Sequence, residues 1–117
     1  MYKDFREMNI WKNGMAVATD IFQISDSLPR KEDYGLTSQI RRSSTSISAN
    51  IAEVFGRTTS ADKRKFYDYS RGSAFGTKSH LLDGARVGYF KEENVNQLIE
   101  QINSVIHDLN KIKKSLN

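Results

Sequence analysis

The sequence predicts an all-α fold, an antiparallel up-down four-helix bundle that forms a single domain over residues 1–117. Three observations favour this fold class. Apolar residues recur at helical spacing along the chain, no strand-type alternation competes with them, and the segments between the predicted helices are short. The chain has no cysteine, which excludes disulfide frameworks and zinc sites built on thiolates.

The first predicted helix covers about residues 8–27 and ends before a polar segment that contains Pro29 and Gly35. Its apolar residues follow spacings of three and four, which is typical of an amphipathic helix with one buried face. The predicted stripe consists of Trp11, Met15, Ala18 and Phe22, widened by Ile10, Val17, Ile21 and Ile24.

The second helix is predicted to begin with Thr37 as its N-cap and to end at Gly56, which are residue types favoured at those positions. The third is predicted to follow Ser60 as its N-cap. Its expected face comprises Phe66, Tyr69, Ser73, Gly76 and His80, extended by Leu81, Leu82 and Ala85.

Two glycine pairs lie in this third segment, at Gly72 and Gly76 and at Gly84 and Gly88. A glycine inside a helix costs about 1 kcal/mol relative to alanine. We therefore expect tight helix–helix contact at these residues. The alternative is that Gly84 and Gly88 only fray the helix end.

The last segment, residues 91–117, gives the clearest helical pattern in the chain. Its apolar residues alternate spacings of three and four, as the a and d positions of packed helices do. They are Val95, Leu98, Ile102, Val105, Leu109, Ile112 and Leu116, with Ile99 and Ile106 beside them. This helix is predicted to pack along its whole length.

Positive charge is concentrated in the middle of the chain. Residues 37–90 contain nine basic and four acidic residues, whereas the formal net charge of the whole chain is +4. A local excess of this kind attracts polyanions, although charge alone favours the simpler interpretation of a solvated, soluble surface. The candidate nucleic-acid-binding residues are Arg41, Arg57, Lys63, Arg64 and Lys65, with Lys111, Lys113 and Lys114 as further candidates and Tyr67 and Tyr69 as stacking groups.

Motifs of catalysis and of metal or cofactor binding are absent from the sequence. No Glu-x-x-His motif is present, neither His80 nor His107 has a second histidine at helical spacing, and no glycine-rich phosphate loop is present. We therefore expect no catalytic residue, metal or cofactor. No apolar run is long enough to span a membrane and the N-terminal residues do not resemble a signal peptide, which favours a cytoplasmic protein.

Several polar residues lie on or near the predicted apolar faces and need partners if they are buried. They are Arg42, Asn50, Glu53, Arg71 and Ser73. We expect Glu53 to pair with Arg71 or Arg42, and Asn50 to bond across to the third helix near Ser73. Such a network would fix helix register rather than perform catalysis.

Several motifs resemble the four-helix-bundle proteins encoded in intervening sequences of bacterial 23S rRNA genes, also called the S23 ribosomal protein family. The most specific is Ser46-Ile-Ser-Ala-Asn-Ile-Ala-Glu53. The others are Phe5-Arg-Glu-Met-x-x-Trp11, Tyr34-Gly-Leu-Thr-Ser-Gln-Ile-Arg-Arg42, Gly56-Arg57, Lys65-Phe66 and Arg71-Gly-Ser73. Val54 replaces the glycine usual in the family, and Gly76 stands near a usual acidic residue, which removes a carboxylate.

The resemblance implies a pentamer-forming bundle, related to accessory proteins of diversity-generating retroelements that bind nucleic acid and a reverse transcriptase through a basic surface. Two functions follow as expectations. The first is a homo-oligomer that binds structured RNA or DNA with little sequence specificity. The second is an adaptor that holds a partner enzyme on the same scaffold without touching nucleic acid.

Overall fold

The computed structural model describes residues 2–116, which form four α-helices and no strand. The helices are α1 (Asn9–Ser25), α2 (Leu36–Glu53), α3 (Ser60–Arg86) and α4 (Glu92–Lys114). Short 3₁₀ turns lie at Phe5–Glu7, Arg30–Glu32 and Val54–Gly56. Within this described part, no helix has both the length and the apolar character needed to cross a membrane.

Each helix packs against two others, in the cyclic order α1, α2, α3, α4. The helices α2 and α3 are antiparallel. Ile47 of α2 contacts Ser70 of α3, whereas Ser43, one turn earlier in α2, contacts Thr77, two turns later in α3. The result is an elongated bundle of 44 × 25 × 21 Å. The predicted four-helix bundle is confirmed.

The N-caps of α2 and α3 differ from the predicted ones by two residues and one residue, and α2 ends at Glu53, three residues before the predicted Gly56, where the 3₁₀ turn Val54–Gly56 follows it. Gly35, not Thr37, precedes α2, because the Glu32 carboxylate accepts a hydrogen bond from the Leu36 amide at 3.2 Å and thereby satisfies the new helix end. Thr59, not Ser60, caps α3, and its hydroxyl accepts from the Asp62 amide at 3.1 Å.

The apolar pattern of α4 is confirmed, while those of α1 and α3 need correction. In α4 the predicted seam is buried from Val95 to Leu109. In α1, Ala18 of the predicted stripe is buried together with Ile10, Val17 and Ile21, whereas Met15 and Phe22 remain 41% and 42% exposed. In α3 the buried face is displaced by about one residue from the predicted one and comprises Tyr67, Ser70, Ala74, Thr77, Leu81 and Gly84.

The glycines of α3 play different parts from those predicted. A Cβ atom added at Gly72 or Gly76 would meet nothing within 4 Å, so neither glycine permits close contact within the chain. At Gly84 an added Cβ would lie 2.3 Å from the Phe90 ring. Gly88 has φ +86°, a value that favours glycine and lets the chain turn back towards α4 after α3 ends.

Candidate nucleic-acid interface

The outer edge of α3 that faces α4 carries three cations at intervals of seven residues. Arg64, Arg71 and Lys78 are two helical turns apart, so they share one side of the helix and span about 21 Å at 1.5 Å per residue. We call this row of three residues the cationic ridge.

Neutral acceptors on the α4 side hold the cationic ridge. Arg71 Nε donates to Asn110 Oδ1 at 2.9 Å, and Lys78 Nζ donates to Asn103 Oδ1 at 2.7 Å. Arg64 Nη2 donates to the Leu116 carbonyl at 3.4 Å. Because these acceptors carry no charge, the side chains are positioned but their positive charge is not neutralised.

An exposed aromatic ring completes the ridge. Phe75 is 44% exposed, with the Arg71 guanidinium 5.1 Å and the Lys78 ammonium 5.2 Å from its ring centroid. Both distances lie within the range of cation–π contacts. The exposed Phe75 ring therefore lies beside two of the three ridge cations.

More lysines lie where α4 ends beside the start of α3. An open hollow of about 530 Å³ is lined there by Arg64, Asn110, Lys113, Lys114 and Leu116. Lys113 forms an ion pair with Asp68, while Lys114 and Lys111 are exposed. The antiparallel arrangement of α3 and α4 thus brings together the basic groups of two distant segments.

Arg41 lies away from this edge, in contact with the end of α1. It donates to Ser25 Oγ at 2.8 Å and to Asp26 Oδ1 at 2.9 Å, and its guanidinium lies 4.8 Å from the Phe22 ring centroid. Its charge is paired within the chain, so the geometry separates Arg41 from the predicted basic group.

Arg57 is paired as well, since its Nη2 donates to Glu53 Oε2 at 3.0 Å and its guanidinium lies 4.2 Å from the Phe66 ring centroid. Lys63 is half-buried and Lys65 is exposed. Of the five predicted binding residues, only Arg64 belongs to the cationic ridge.

The two tyrosines predicted as stacking groups differ in exposure, and neither has the environment that the sequence pattern predicted. Tyr69, which the pattern favoured as a core residue, is 48% exposed. Tyr67 is only 4% exposed, and burial raises the pKa of its hydroxyl above the ordinary value of 10.0. Tyr67 therefore offers no open face for stacking.

The predicted polar network does not form with the predicted partners. Glu53 pairs with Arg57 on the following turn, and Asn50 Nδ2 donates to the Ser46 carbonyl of its own helix at 2.8 Å. Arg71 instead contacts Asn110. Arg42 is exposed, and the Ser73 carbonyl accepts from Thr77 Oγ1 at 2.8 Å.

Small hydroxyl groups make the α2–α3 polar contacts instead. Ser70 Oγ donates to the Ile47 carbonyl at 2.7 Å, and the Thr77 and Ser43 hydroxyls share a hydrogen bond of 2.9 Å. Ser70 and Thr77 are fully buried, so these bonds satisfy groups that would otherwise cost free energy. They can fix the register that the larger residues were expected to fix.

Sequence reasoning missed Lys78 and the two asparagines, and it assigned Arg71 to another role. A signal was present, because the seven-residue interval of the ridge cations matches the interval between Asn103 and Asn110. Because α3 and α4 are antiparallel, residues seven apart on one helix can contact residues seven apart on the other, as Arg71 with Asn110 and Lys78 with Asn103 do. Within residues 2–116, no group of three or more potential metal ligands lies together.

A family model described as "23S rRNA-intervening sequence protein" matches residues 6–111, which is most of the chain. The chain belongs to this family. The resemblance that the Ser46–Glu53 motif carries is thereby confirmed. No curated protein matches the chain.

A solved structure supports the fold of this family member. It is a protein of unknown function from the S23 ribosomal protein family of Bacteroides thetaiotaomicron, 24% identical to this chain, with a TM-score of 0.82. The match covers 90% of this chain and 98% of the other. At this identity the likeness is one of fold.

Proposed function

We propose that the protein is a non-catalytic, oligomeric bundle that binds structured RNA or DNA through the cationic ridge. The observation that supports this most is the row of three cations held by neutral acceptors. A cation paired with a carboxylate must give up that partner before it can bind a phosphate, whereas Arg71 and Lys78 keep their full charge and are already positioned.

The dimensions of the ridge suit a nucleic-acid backbone. Its span of about 21 Å corresponds to about six base pairs at 3.4 Å per pair. Phosphate contacts position a protein without reading sequence, so this binding is expected to depend on charge and shape. Phe75 adds a stacking surface for an unpaired base.

The ridge is tested by binding to a structured RNA and a DNA duplex at several salt concentrations. We expect log Kobs to fall linearly with log salt concentration for the wild type. The triple variant Arg64→Gln, Arg71→Gln, Lys78→Gln should reduce the steepness of that line by about 3 for duplex DNA, one unit per lost phosphate contact.

The matched control is Lys91→Gln, because Lys91 is an exposed cation before α4, at the far end of the bundle. It should leave both affinity and salt dependence close to the wild type. Affinity that does not change with salt, or a triple variant that binds as tightly as the wild type, would reject the ridge as the binding surface.

An apolar groove between α1 and α2 supports the oligomeric part of the proposal. It has a volume of about 710 Å³, and its apolar wall includes Phe5, Trp11, Met15, Phe22 and Ala52. Exposed apolar surface of this kind is typical of protein interfaces. We propose that a second copy of the chain covers it; a ring of five copies is the number that the family resemblance implies.

Light scattering at micromolar concentration tests this assembly. We expect the wild type to have a mass that is a multiple of 13.4 kDa. Met15→Glu should shift the mass towards one chain, because it buries a charge in the interface, and Val87→Glu in an exposed turn should not. A wild-type mass of 13.4 kDa would reject self-association and favour the adaptor, with the groove open to a different protein.

A further inference from the structure

A third concave region, distinct from the apolar groove, lies where the chain before α1 meets the ends of α2 and α4 and the start of α3. Its volume is about 450 Å³, within the range of small-molecule pockets. Most of its wall is apolar and includes Met8, Val54, Phe55, Ile112 and Leu116. We call it the Tyr67 cavity, after the buried tyrosine that lines it.

The charged and phenolic groups of the Tyr67 cavity are hydrogen-bond donors. They belong to Arg57, Lys63 and Tyr67, together with the exposed Tyr2 at the rim. Among the residues that line the cavity no carboxylate is present. An apolar wall with donors but no opposing carboxylate favours a ligand that brings its own negative charge.

Within the described residues 2–116, these groups have N–H or O–H donors that no acceptor binds. The Tyr67 hydroxyl and the Lys63 ammonium make no hydrogen bond or ion pair there, and both groups remain open to solvent although the Tyr67 ring is almost fully buried. Arg57 Nη2 is bound to Glu53, but its Nε–H is buried and has no acceptor. Buried polar groups are normally satisfied, so the unpaired Arg57 Nε–H indicates a missing acceptor beside the cavity.

We propose that the Tyr67 cavity binds a small organic anion, in which one carboxylate or phosphate group is attached to an apolar body. The anionic group accepts hydrogen bonds from Lys63 and Tyr67, and the apolar body packs against Val54, Phe55 and Leu116. None of the three ridge cations lines the cavity, and Leu116, whose carbonyl accepts from Arg64, is the residue that the two sites share.

Isothermal titration of the full chain with four probes tests the proposal. Octanoate supplies a carboxylate on an apolar chain, and phenyl phosphate supplies a phosphate on an apolar ring. Octanol has an apolar chain without charge, and inorganic phosphate has charge without an apolar body. We expect one of the first two to bind with one site per chain, and the better of them identifies the anionic group. Octanol and inorganic phosphate should each bind at least tenfold more weakly.

Two conservative variants locate the site. Lys63→Gln and Tyr67→Phe should each weaken the preferred probe about tenfold or more, because each removes a hydrogen bond to a charged group. Tyr67→Phe keeps the buried ring, so thermal melting by circular dichroism should confirm that the core is retained. Lys12→Gln removes an exposed lysine of α1 that lines none of the cavities described and should bind the probe like the wild type.

Three outcomes would overturn the proposal. One is that neither octanoate nor phenyl phosphate binds. Another is that octanol or inorganic phosphate binds as tightly as the preferred probe. The third is that Met15→Glu abolishes binding while Lys63→Gln does not, which would assign the ligand to the apolar groove. None of these results depends on nucleic-acid binding, so the proposal for this site and the proposal for the ridge are tested separately.

Discussion

Gly84→Ala is expected to lower the free energy of unfolding by about 2–3 kcal/mol, the cost of forcing an extra atom into a packed core. The new Cβ would lie 2.3 Å from two atoms of the Phe90 ring, and that ring is itself buried. The amides of Tyr89 and Phe90 both donate to the Gly84 carbonyl, at 2.8 and 3.2 Å, so ring and backbone must shift together. Urea denaturation at a fixed protein concentration measures the change.

The matched controls are Gly72→Ala and Gly76→Ala in the same helix. An added Cβ meets no atom within 4 Å at either position, so the change in stability depends on helix propensity alone. The free energy of unfolding of each variant should rise by up to about 1 kcal/mol. If Gly84→Ala were as stable as these two variants, the close contact between α3 and Phe90 would be wrong. Phe90→Leu combined with Gly84→Ala should recover part of the loss, because the smaller side chain leaves room for the Cβ.

The contrast between these glycines explains why sequence spacing alone misjudged α3. Gly72 and Gly76 have the same four-residue interval as Gly84 and Gly88, but the interval does not reveal which side of the helix faces a neighbour. Phe66, Tyr69 and His80 suggested one face, whereas burial of Tyr67, Ala74 and Leu81 defines another, displaced by one residue. Small and hydroxylated core residues such as Ser70 and Thr77 carry too little apolar signal to reveal it.

The fold was predictable because α4 has an unambiguous pattern and the breaks at Pro29 and Gly56 are local features. The α1 pattern was ambiguous, since apolar residues surround much of that helix and burial selects Ile10, Val17 and Ile21 over Met15 and Phe22. Which apolar face stays open depends on the positions of the other three helices, and that is a tertiary property.

The sequence predicted that the candidate site is positively charged, but it did not predict which basic residues form it. Arg41 and Arg57 are basic in the sequence, yet Asp26 and Glu53 pair with them after folding. Neighbours in sequence could have indicated the second pair, which is four residues apart on adjoining turns. The first pair joins two helices, and so do the contacts of Arg71 and Lys78 with α4.

Ile102→Ala is expected to produce the largest loss of stability among the variants considered, about 2–5 kcal/mol. Ile102 is fully buried near the middle of α4, where α1 and α3 both pack against the helix. Removing its branched side chain leaves a cavity that the neighbouring helices cannot fill without losing their own contacts.

The control is Ile99→Ala, one turn earlier and only half-buried, which should lose much less because water can occupy the space it vacates. Both variants are compared by urea denaturation at the same protein concentration, with equal m-values as evidence that the unfolding transition is unchanged. The pair tests the α4 seam directly, since Ile102 lies at a seam position and Ile99 beside it. Equal losses for the two variants would mean that α4 packs in a different rotation, which would also separate Asn103 and Asn110 from the cationic ridge.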